Sequence, residues 1–155
     1  ITDSFTHIWW YSKNIHPKAN NRNVLQPYTK SMEKLIQRQK YNHGERPSGH
    51  LISKKGFLNH NGGSIPQSVL NVSNTGFDVE YRDWCKSKKV SMHPARMPLS
   101  VANFFIKFLT EPKDLVLDPF GGSLTTGKSA ENLKRKWICI ERERDYLIGG
   151  QGRFQ

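Results

Sequence analysis

The sequence predicts an α/β protein, and three observations lead to this class. Short apolar runs at 115–117 and 137–140 have the length of buried strands. Amphipathic helical patterns precede, separate and follow them, and this alternation is typical of a parallel sheet covered on both faces. A glycine-containing turn at 118–123 joins the first run to the helix between the strands. With 155 residues, the chain has the size of about one domain.

The first 40 residues are expected to hold one strand and one helix. β-Forming residues at 4–12 predict a strand in which Trp9 and Trp10 point to opposite faces, so that at least one packs inward. Thr29 is a suitable N-cap for a helix that ends near Gln39. The segment between the two elements is rich in asparagine and is predicted to be a loop.

Residues 41–92 are predicted to be rich in loops. Glycine, proline and asparagine recur through 41–67 and leave little room for regular elements. A short strand is expected at 69–72. The remainder, 73–92, is predicted to be an exposed polar connection that is interrupted by Trp84.

Helices are predicted on either side of the two apolar runs. Ser100 is a suitable cap for a helix that ends near Leu109. The apolar residues of this helix recur at the spacing of a helix packed on a sheet: Val101, Phe104, Phe105, Phe108 and Leu109. A second helix is predicted over 126–134 and a third from Asp145 onward.

Basic residues are concentrated in the first part of the chain. The formal net charge is +11, and residues 1–92 hold 14 Lys and Arg against 6 Asp and Glu, whereas 93–155 hold 10 against 7. A basic, loop-rich segment suits a polyanion such as DNA, because Lys and Arg displace counterions from phosphates. A solvated surface is the alternative interpretation. No run of 18 apolar residues is present, so we expect no transmembrane helix.

A ligand-binding site is predicted at the carboxyl ends of the two strands. Gly121 and Gly122 let the backbone approach a ligand, and Glu141 follows the second strand, where an acid can accept hydrogen bonds from ribose hydroxyls. The turn is not G-x-G-x-x-G and lacks the lysine of a phosphate-binding loop, which disfavours a pyrophosphate-bearing cofactor such as a nicotinamide dinucleotide. Asp118 suits a cationic nucleoside, and S-adenosylmethionine fits that description. An ordinary βα turn that needs glycine for packing is the alternative.

Several segments resemble a known family of enzymes. Residues 118–127, D-P-F-G-G-S-L-T-T-G, resemble the D-P-F-x-G-S-G-T-T cofactor motif of DNA amino-methyltransferases, and the H-P-A-R-M-P run at 93–98 resembles the element that precedes that motif. Leu124 stands where the consensus has its third glycine. Further segments resemble one branch, the cytosine-N4 methyltransferases of bacterial restriction–modification systems: 5–12, 18–21, 46–50 and 61–66.

The resemblance implies a partial Rossmann-like, S-adenosylmethionine-dependent methyltransferase sheet with an irregular DNA-recognition region. The end of the catalytic-half sheet and the helix that follows it are expected at 1–40, the target-recognition region at 41–92 and the cofactor subdomain at 93–155. Cofactor contacts are implied for Asp118, Phe120, Gly121, Gly122, Ser123, Glu141, His93, Pro94 and Ala95. Contacts with duplex DNA are expected from Arg46, His50, Lys54, Lys55 and Asn61.

The catalytic motif of that family is not found in the chain. The DNA amino-methyltransferases carry out catalysis with a second motif, S-P-P-[YF] or D-P-P-[YF]. Its polar groups bind the target amine, and its aromatic residue stacks on a flipped base. The chain has no two adjacent prolines, and the nearest fragment, 64–67, lacks both the second proline and the aromatic residue. We therefore expect the motif upstream of Ile1. We also expect the chain alone to bind the cofactor weakly and to transfer no methyl group.

The expected activity of the whole is methylation of the N4 amine of cytosine. Methylation of adenine N6 and a non-catalytic DNA-binding remnant are the alternatives. A cognate restriction endonuclease that acts on the same site is the partner implied by such a system, and the cytoplasm is the expected location.

Histidines and cysteines are not expected to bind metal. None of the six histidines pairs with another or with a cysteine at ligand spacing. The two cysteines cannot form a disulfide framework, which indicates a reducing compartment. Cys139 lies in an apolar run and is expected to be inert, whereas Cys85 beside Lys86 is expected to be more reactive.

Overall fold

A computed structural model describes residues 5–73 and 78–155 of the chain. None of the helices in these two stretches is long and apolar enough to cross a membrane. The regular elements are α1 (Lys30–Arg38), β1 (Gly44–Glu45), β2 (Leu51–Ile52), α2 (Val79–Lys88), α3 (Leu99–Leu109), β3 (Leu115–Asp118), α4 (Thr125–Asn132), β4 (Lys136–Cys139) and α5 (Arg144–Gln151), with 3₁₀ turns at Asn21–Val24 and Gly152–Phe154.

The predicted βαβ unit is formed by β3, α4 and β4. The two strands are parallel, and Asp118 lies opposite Cys139 at their carboxyl ends. α4 covers one face of the pair at close range, since a Cβ added to Gly127 would lie 2.9 Å from the Trp137 ring. The parallel pair therefore brings its two carboxyl ends to one edge, as the sequence predicted.

The other face of this pair is open to solvent. Leu115 is 58% exposed, Leu117 59% and Ile138 49%. The sequence predicted helices on both faces, and among the described residues this is wrong. The strands are apolar in sequence, but one of their two faces keeps about half of its side-chain surface exposed.

α3 packs against α4 and the first 3₁₀ turn rather than against the sheet. Its buried residues are Ala102 and Ile106, whereas the predicted apolar stripe, Phe104 included, is only partly buried. A helix that packs on another helix can bring a small residue to the contact, which a search for large apolar residues does not detect. Pro98 precedes the first turn and no side chain caps it, so the prediction that Ser100 is the cap is wrong.

α2 lies within the segment that was predicted to be an exposed connection. It packs against α5 and the second 3₁₀ turn, and its Tyr81 and Cys85 are 0% and 1% exposed. The indole Nε1 of Trp84 donates to the carbonyl oxygen of Ile148 at 2.8 Å. The prediction is wrong because Tyr81 and Cys85, which are buried, and Trp84, which is partly buried, form a narrow stripe among charged neighbours.

Neither predicted strand in the first part of the chain is formed. The described part of the 4–12 segment, 5–12, has no ladder, and 69–72 is irregular as well. Trp9 is 76% and Trp10 51% exposed, so the expected inward packing is wrong. The Trp10 ring does rest edge-on against Phe108, with 5.6 Å between centroids. A strand needs a neighbour to pair its backbone groups, and the described residues place none beside this segment.

The predicted helix at 29–39 is confirmed by α1. The Thr29 hydroxyl accepts a hydrogen bond from the backbone N–H of Met32 at 3.3 Å, which is the expected N-cap. The loop-rich character of 41–67 is also confirmed, and β1 and β2 add a short antiparallel hairpin to it.

Candidate functional site

The turn after β3 wraps around the end of β4. The N–H of Gly121 donates to the carbonyl oxygen of Ile140 at 2.7 Å, and the N–H of Ile140 donates to that of Asp118 at 2.8 Å. A Cβ on Gly121 would lie 3.0 Å from the Cβ of Cys139, so the close approach of the two segments requires glycine. The N–H of Phe120 donates to Oδ1 of Asp118 at 3.0 Å, which orients this carboxylate at the strand end.

Glu141 lies directly against this turn, as the sequence predicted. Its Oε2 accepts from the N–H of Gly122 at 2.8 Å, and its Oε1 accepts from the N–H of Glu143 at 2.9 Å. These bonds from Glu143 and Gly122 lower the pKa of Glu141 below its ordinary value, so the group is charged at neutral pH. A carboxylate has about four acceptor positions, so capacity remains for the hydroxyls of a ligand.

His93 also lies against this turn. A Cβ on Gly122, whose φ is +50°, would lie 3.1 Å from Nε2 of His93. The imidazole packs edge-on against Tyr146, with 4.7 Å between ring centroids, and its Nδ1 accepts from the N–H of Ala95 at 3.2 Å. Glycine is therefore required at 122 both for its left-handed backbone and for the space that the His93 ring occupies.

An open cleft lies between this turn and the segment 93–97, here called the strap. Its volume is about 80 Å³, well below the roughly 300–1,000 Å³ of pockets that enclose a small molecule. The described residues alone therefore do not enclose a small molecule here. The residues that line the cleft are His93, Ala95, Met97, Asp118, Phe120, Gly121, Gly122, Ser123, Thr125 and Thr126.

The structure brings together most of the residues that the sequence predicted to contact a cofactor. Seven of the nine line the cleft, and the two others are Pro94, which is exposed on the strap, and Glu141, which supports the turn. Met97, Thr125 and Thr126 line the cleft but were not predicted. All three belong to motif segments that carried the resemblance, so the signal was present.

Leu124 is accommodated by a glycine from another element. It adopts a left-handed conformation, φ 57° and ψ 29°, which favours glycine, yet its side chain is buried, with 6% exposure. A Cβ on Gly150 would lie 2.5 Å from Cγ of Leu124. The missing side chain at Gly150 in α5 thus makes room for the leucine that replaces the consensus glycine.

Arg153 lies behind the turn and was not predicted. It is 7% exposed, and its Nε donates to the carbonyl oxygen of Ser123 at 2.5 Å. A single arginine that follows a glycine-rich helix carries no sequence signal of such a role. Tyr81 was not predicted either, because it lies in the segment expected to be an exposed connection. Its ring contacts the Arg153 guanidinium.

The five predicted DNA contacts all lie on exposed loops. Arg46 and His50 close the β1–β2 hairpin, where the N–H of Arg46 donates to the carbonyl oxygen of His50 at 2.9 Å. The backbone N–H of Asn61 donates to the Tyr28 hydroxyl at 2.8 Å, and its exposed side-chain Nδ2 donates to the carbonyl oxygen of Asn59 at 3.3 Å. Their contacts with DNA stay predictions. The full set is Arg46, His50, Lys54, Lys55 and Asn61.

The described cysteines and acidic groups offer no metal site. Within 5–73 and 78–155, no group of three His, Cys, Asp or Glu side chains is placed to hold a metal ion. Cys85 is 1% exposed, so the reactivity expected of it is wrong, because its thiol is shielded from solvent. Burial, followed by the charge of Asp118, raises the pKa of Cys139, which is partly buried and fits the expected packing role.

Comparisons with known proteins agree on one family. Residues 1–148 match the family model N6_N4_Mtase, described as DNA methylase. The chain is 44% identical over 156 residues to the Type II methyltransferase M.PvuII of Proteus hauseri, which covers 99% of this chain and 46% of that protein. It is 30% identical over 142 residues to the Type II methyltransferase M2.LlaDCHI of Lactococcus lactis subsp. cremoris, which covers 91% and 47% respectively.

A solved structure gives the same relationship in three dimensions. The structure of PvuII DNA methyltransferase (cytosine-N4-specific) aligns with a TM-score of 0.56 and 45% identity, over 59% of this chain and 32% of that chain. The chain spans about half the length of the curated relatives it matches.

Proposed function

Since the chain belongs to the DNA methylase family, we propose that it provides the cofactor-binding and DNA-reading parts of a cytosine-N4 DNA methyltransferase. The activity is transfer of a methyl group from S-adenosylmethionine to the exocyclic amine of a cytosine flipped out of duplex DNA. It belongs to a type II restriction–modification system in the cytoplasm, with a cognate restriction endonuclease as partner. The similarity to M.PvuII and to the cytosine-N4-specific structure supports cytosine as the target.

One observation carries this proposal: Glu141 Oε2 lies 2.8 Å from the N–H of Gly122. A carboxylate that follows one parallel strand is thereby placed against the glycine turn that follows its neighbour. Nucleosides bind at this edge of parallel sheets, where an acid accepts hydrogen bonds from ribose. The finer fold that we propose is therefore a partial Rossmann-like sheet built on β3, α4 and β4.

The charges around the cleft fit S-adenosylmethionine. This cofactor supplies a methyl group on a positively charged sulfur when it is bound. Asp118, oriented at the end of β3, faces the cationic amino acid end. Glu141 accepts from the ribose hydroxyls while its two backbone bonds keep it in place. The strap, with His93 and Pro94, closes over the methionine end.

We propose that the division of labour along the chain follows the sequence prediction. Residues 1–40, whose described part forms a 3₁₀ turn and α1 but no strand, belong to the catalytic half, whereas 41–92 read DNA and 93–155 bind the cofactor. Support comes from the exposed basic loops of the middle segment. Because α2 packs against α5, the end of the middle segment also supports the cofactor subdomain.

Calorimetry with S-adenosylmethionine tests the proposal. We expect wild type to bind and Glu141→Ala to bind about 10-fold more weakly or worse, since it loses charged hydrogen bonds. The matched control is Glu143→Ala, whose side chain pairs only with the exposed Arg142 among the described residues, and it should bind as wild type does. Absence of binding heat for wild type would favour the alternative of a non-catalytic DNA-binding protein.

The alternative target is the N6 amine of adenine, because the matched family model covers both kinds of amine. Nucleoside mass spectrometry separates the two. DNA from cells that carry the whole gene should contain N4-methylcytosine, and N6-methyladenine in its place would overturn the choice of base.

A further inference from the structure

A buried arginine holds the glycine turn from behind. The Nε of Arg153 donates to the carbonyl oxygen of Ser123 at 2.5 Å, and its Nη2 donates to the Ser123 hydroxyl at 3.1 Å. The same Nη2 forms an ion pair with Asp78, and the guanidinium lies over the Tyr81 ring, 4.8 Å from its centroid. The planar fork of arginine makes all these contacts at once, which the single ammonium of lysine cannot.

Tyr81 holds the strap in a similar way. Its side chain is fully buried, and its hydroxyl accepts from the backbone N–H of His93 at 2.9 Å. A second guanidinium, that of Arg96, also contacts the Tyr81 ring, with Cζ 5.5 Å from the ring centroid. Nη1 of Arg96 donates to the carbonyl oxygen of His93 at 3.1 Å. Burial raises the pKa of Tyr81, so its hydroxyl stays protonated at neutral pH.

These contacts reach both walls of the cleft without entering it. Ser123 and His93 line the cleft, whereas Arg153 and Tyr81 do not. The two walls nearly touch, since a Cβ on Gly122 would lie 3.1 Å from Nε2 of His93. A shift of a few tenths of an ångström in either wall therefore changes the shape of the cleft.

We propose that Arg153 and Tyr81 are positioning residues that set the separation of the glycine turn and the strap, and thereby the affinity for the methionine end of S-adenosylmethionine. The inference rests on the proposed function. It adds that α2 and the second 3₁₀ turn, which lie outside the cleft, control one end of the ligand. The ribose end depends on Glu141, which neither residue contacts through a described bond.

Two conservative variants test this in the full 155-residue chain. Tyr81→Phe keeps the ring that contacts the two guanidinium groups but removes the acceptor for the His93 N–H. Arg153→Lys keeps the charge but loses the fork. The matched controls are Tyr11→Phe, at a side chain that is 83% exposed, and Arg142→Lys, at one that is 91% exposed.

Calorimetry should use two ligands, S-adenosylmethionine and 5′-methylthioadenosine, which lacks both the amino acid part and the positive charge on sulfur. Thermal unfolding of each variant fixes a temperature at which it is fully folded. We expect the Kd for S-adenosylmethionine to rise about 10-fold in Tyr81→Phe and in Arg153→Lys, which corresponds to about 1.4 kcal/mol. The Kd for 5′-methylthioadenosine should stay within about twofold, and both controls should match wild type.

The outcomes separate the inference from the proposed function. If both variants bind S-adenosylmethionine as wild type does, or lose both ligands equally, the positioning role is wrong and the two residues serve folding only. If wild type binds neither ligand, the proposed cofactor site itself is wrong, and the inference fails with it.

Discussion

The two described stretches of the chain, 5–73 (the first part) and 78–155 (the second part), differ sharply in how many apolar side chains they bury. Among the described residues, six of the seven buried hydrophobic side chains lie in 78–155, and Val24 is the one in 5–73. The first part instead exposes large apolar residues, such as Trp9 and Ile15. Apolar burial is the main favourable term in folding, so 78–155 gains more from its own packing than 5–73 does. The conformation of the first part therefore depends on what it contacts.

The described contacts between 5–73 and 78–155 centre on α3 and the loop after it, against which the first 3₁₀ turn packs. The N–H of Asn20 donates to the carbonyl oxygen of Phe108 at 2.8 Å. Lys18 forms an ion pair with Asp114 at 2.8 Å. Hydrogen bonds from the Glu111 N–H and from Lys18 lower the pKa of this aspartate. The pair is exposed, so salt weakens it.

The largest effect should come from matched truncations in the two parts. Ile106→Ala removes a buried side chain from α3 and should lower the free energy of unfolding by about 2–5 kcal/mol. Leu51→Ala, at a position that is 72% exposed in the hairpin, should change it by less than about 0.5 kcal/mol. Urea denaturation measures both. Equal losses of unfolding free energy in the two variants would show that 5–73 contributes to the same core as 78–155, which would contradict the difference in burial.

The Leu124–Gly150 contact should give the next largest effect. A Cβ at Gly150 meets Leu124 Cγ at 2.5 Å, so Gly150→Ala should destabilise the chain by about 1–3 kcal/mol through overpacking. In a Leu124→Ala background the obstacle is gone, and the same substitution should cost much less. A double-mutant cycle on denaturant unfolding measures this coupling. Additive losses would mean that the two residues do not share space.

The sequence predicted the candidate site best where the backbone path alone brings the residues together. The glycine turn, Asp118 and Glu141 were predicted from two apolar runs and the residues that end them. Parallel strands bring their carboxyl ends to one edge whatever surrounds them, so this part of the site followed from local pattern.

The sequence was least informative where tertiary contacts decide. Tyr81 and Trp84 lie in a charged, polar stretch, and packing against α5 and the second 3₁₀ turn buries one narrow stripe of the helix that they belong to. Trp9 and Trp10 show the opposite case, since strand-forming residues there have no neighbouring strand among the described residues. Local propensity is overridden in both segments, because a helix packs against the first and no strand pairs with the second in the part of the chain that the structure describes.

Lysine substitutions in the first part should reduce DNA affinity moderately, whereas lysine substitutions in the second part should not. Neutralising Lys54 and Lys55 to glutamine should weaken duplex binding about 10-fold and reduce the slope of log K against log salt by up to about 2, because two phosphate contacts are lost. The control, Lys107→Gln with Lys136→Gln, removes two exposed lysines from α3 and β4 and should leave the slope unchanged. Fluorescence anisotropy at several salt concentrations measures it. An unchanged slope in the first variant would contradict a DNA role for the loop.

The smallest effect should come from the charge of Glu141. Its pKa is lowered in the folded chain, so the native state holds its proton less tightly than the unfolded state. The stability that it contributes is therefore fully present above its ordinary pKa of 4.5 and is lost as the pH falls through the lower native value. Glu141→Gln should lower the Tm by a few degrees at pH 7, and this difference should vanish near pH 2. Glu45→Gln, on the exposed hairpin, should leave the Tm unchanged at both pH values. A difference between wild type and Glu141→Gln that persists at low pH would mean that shape, rather than charge, holds the turn.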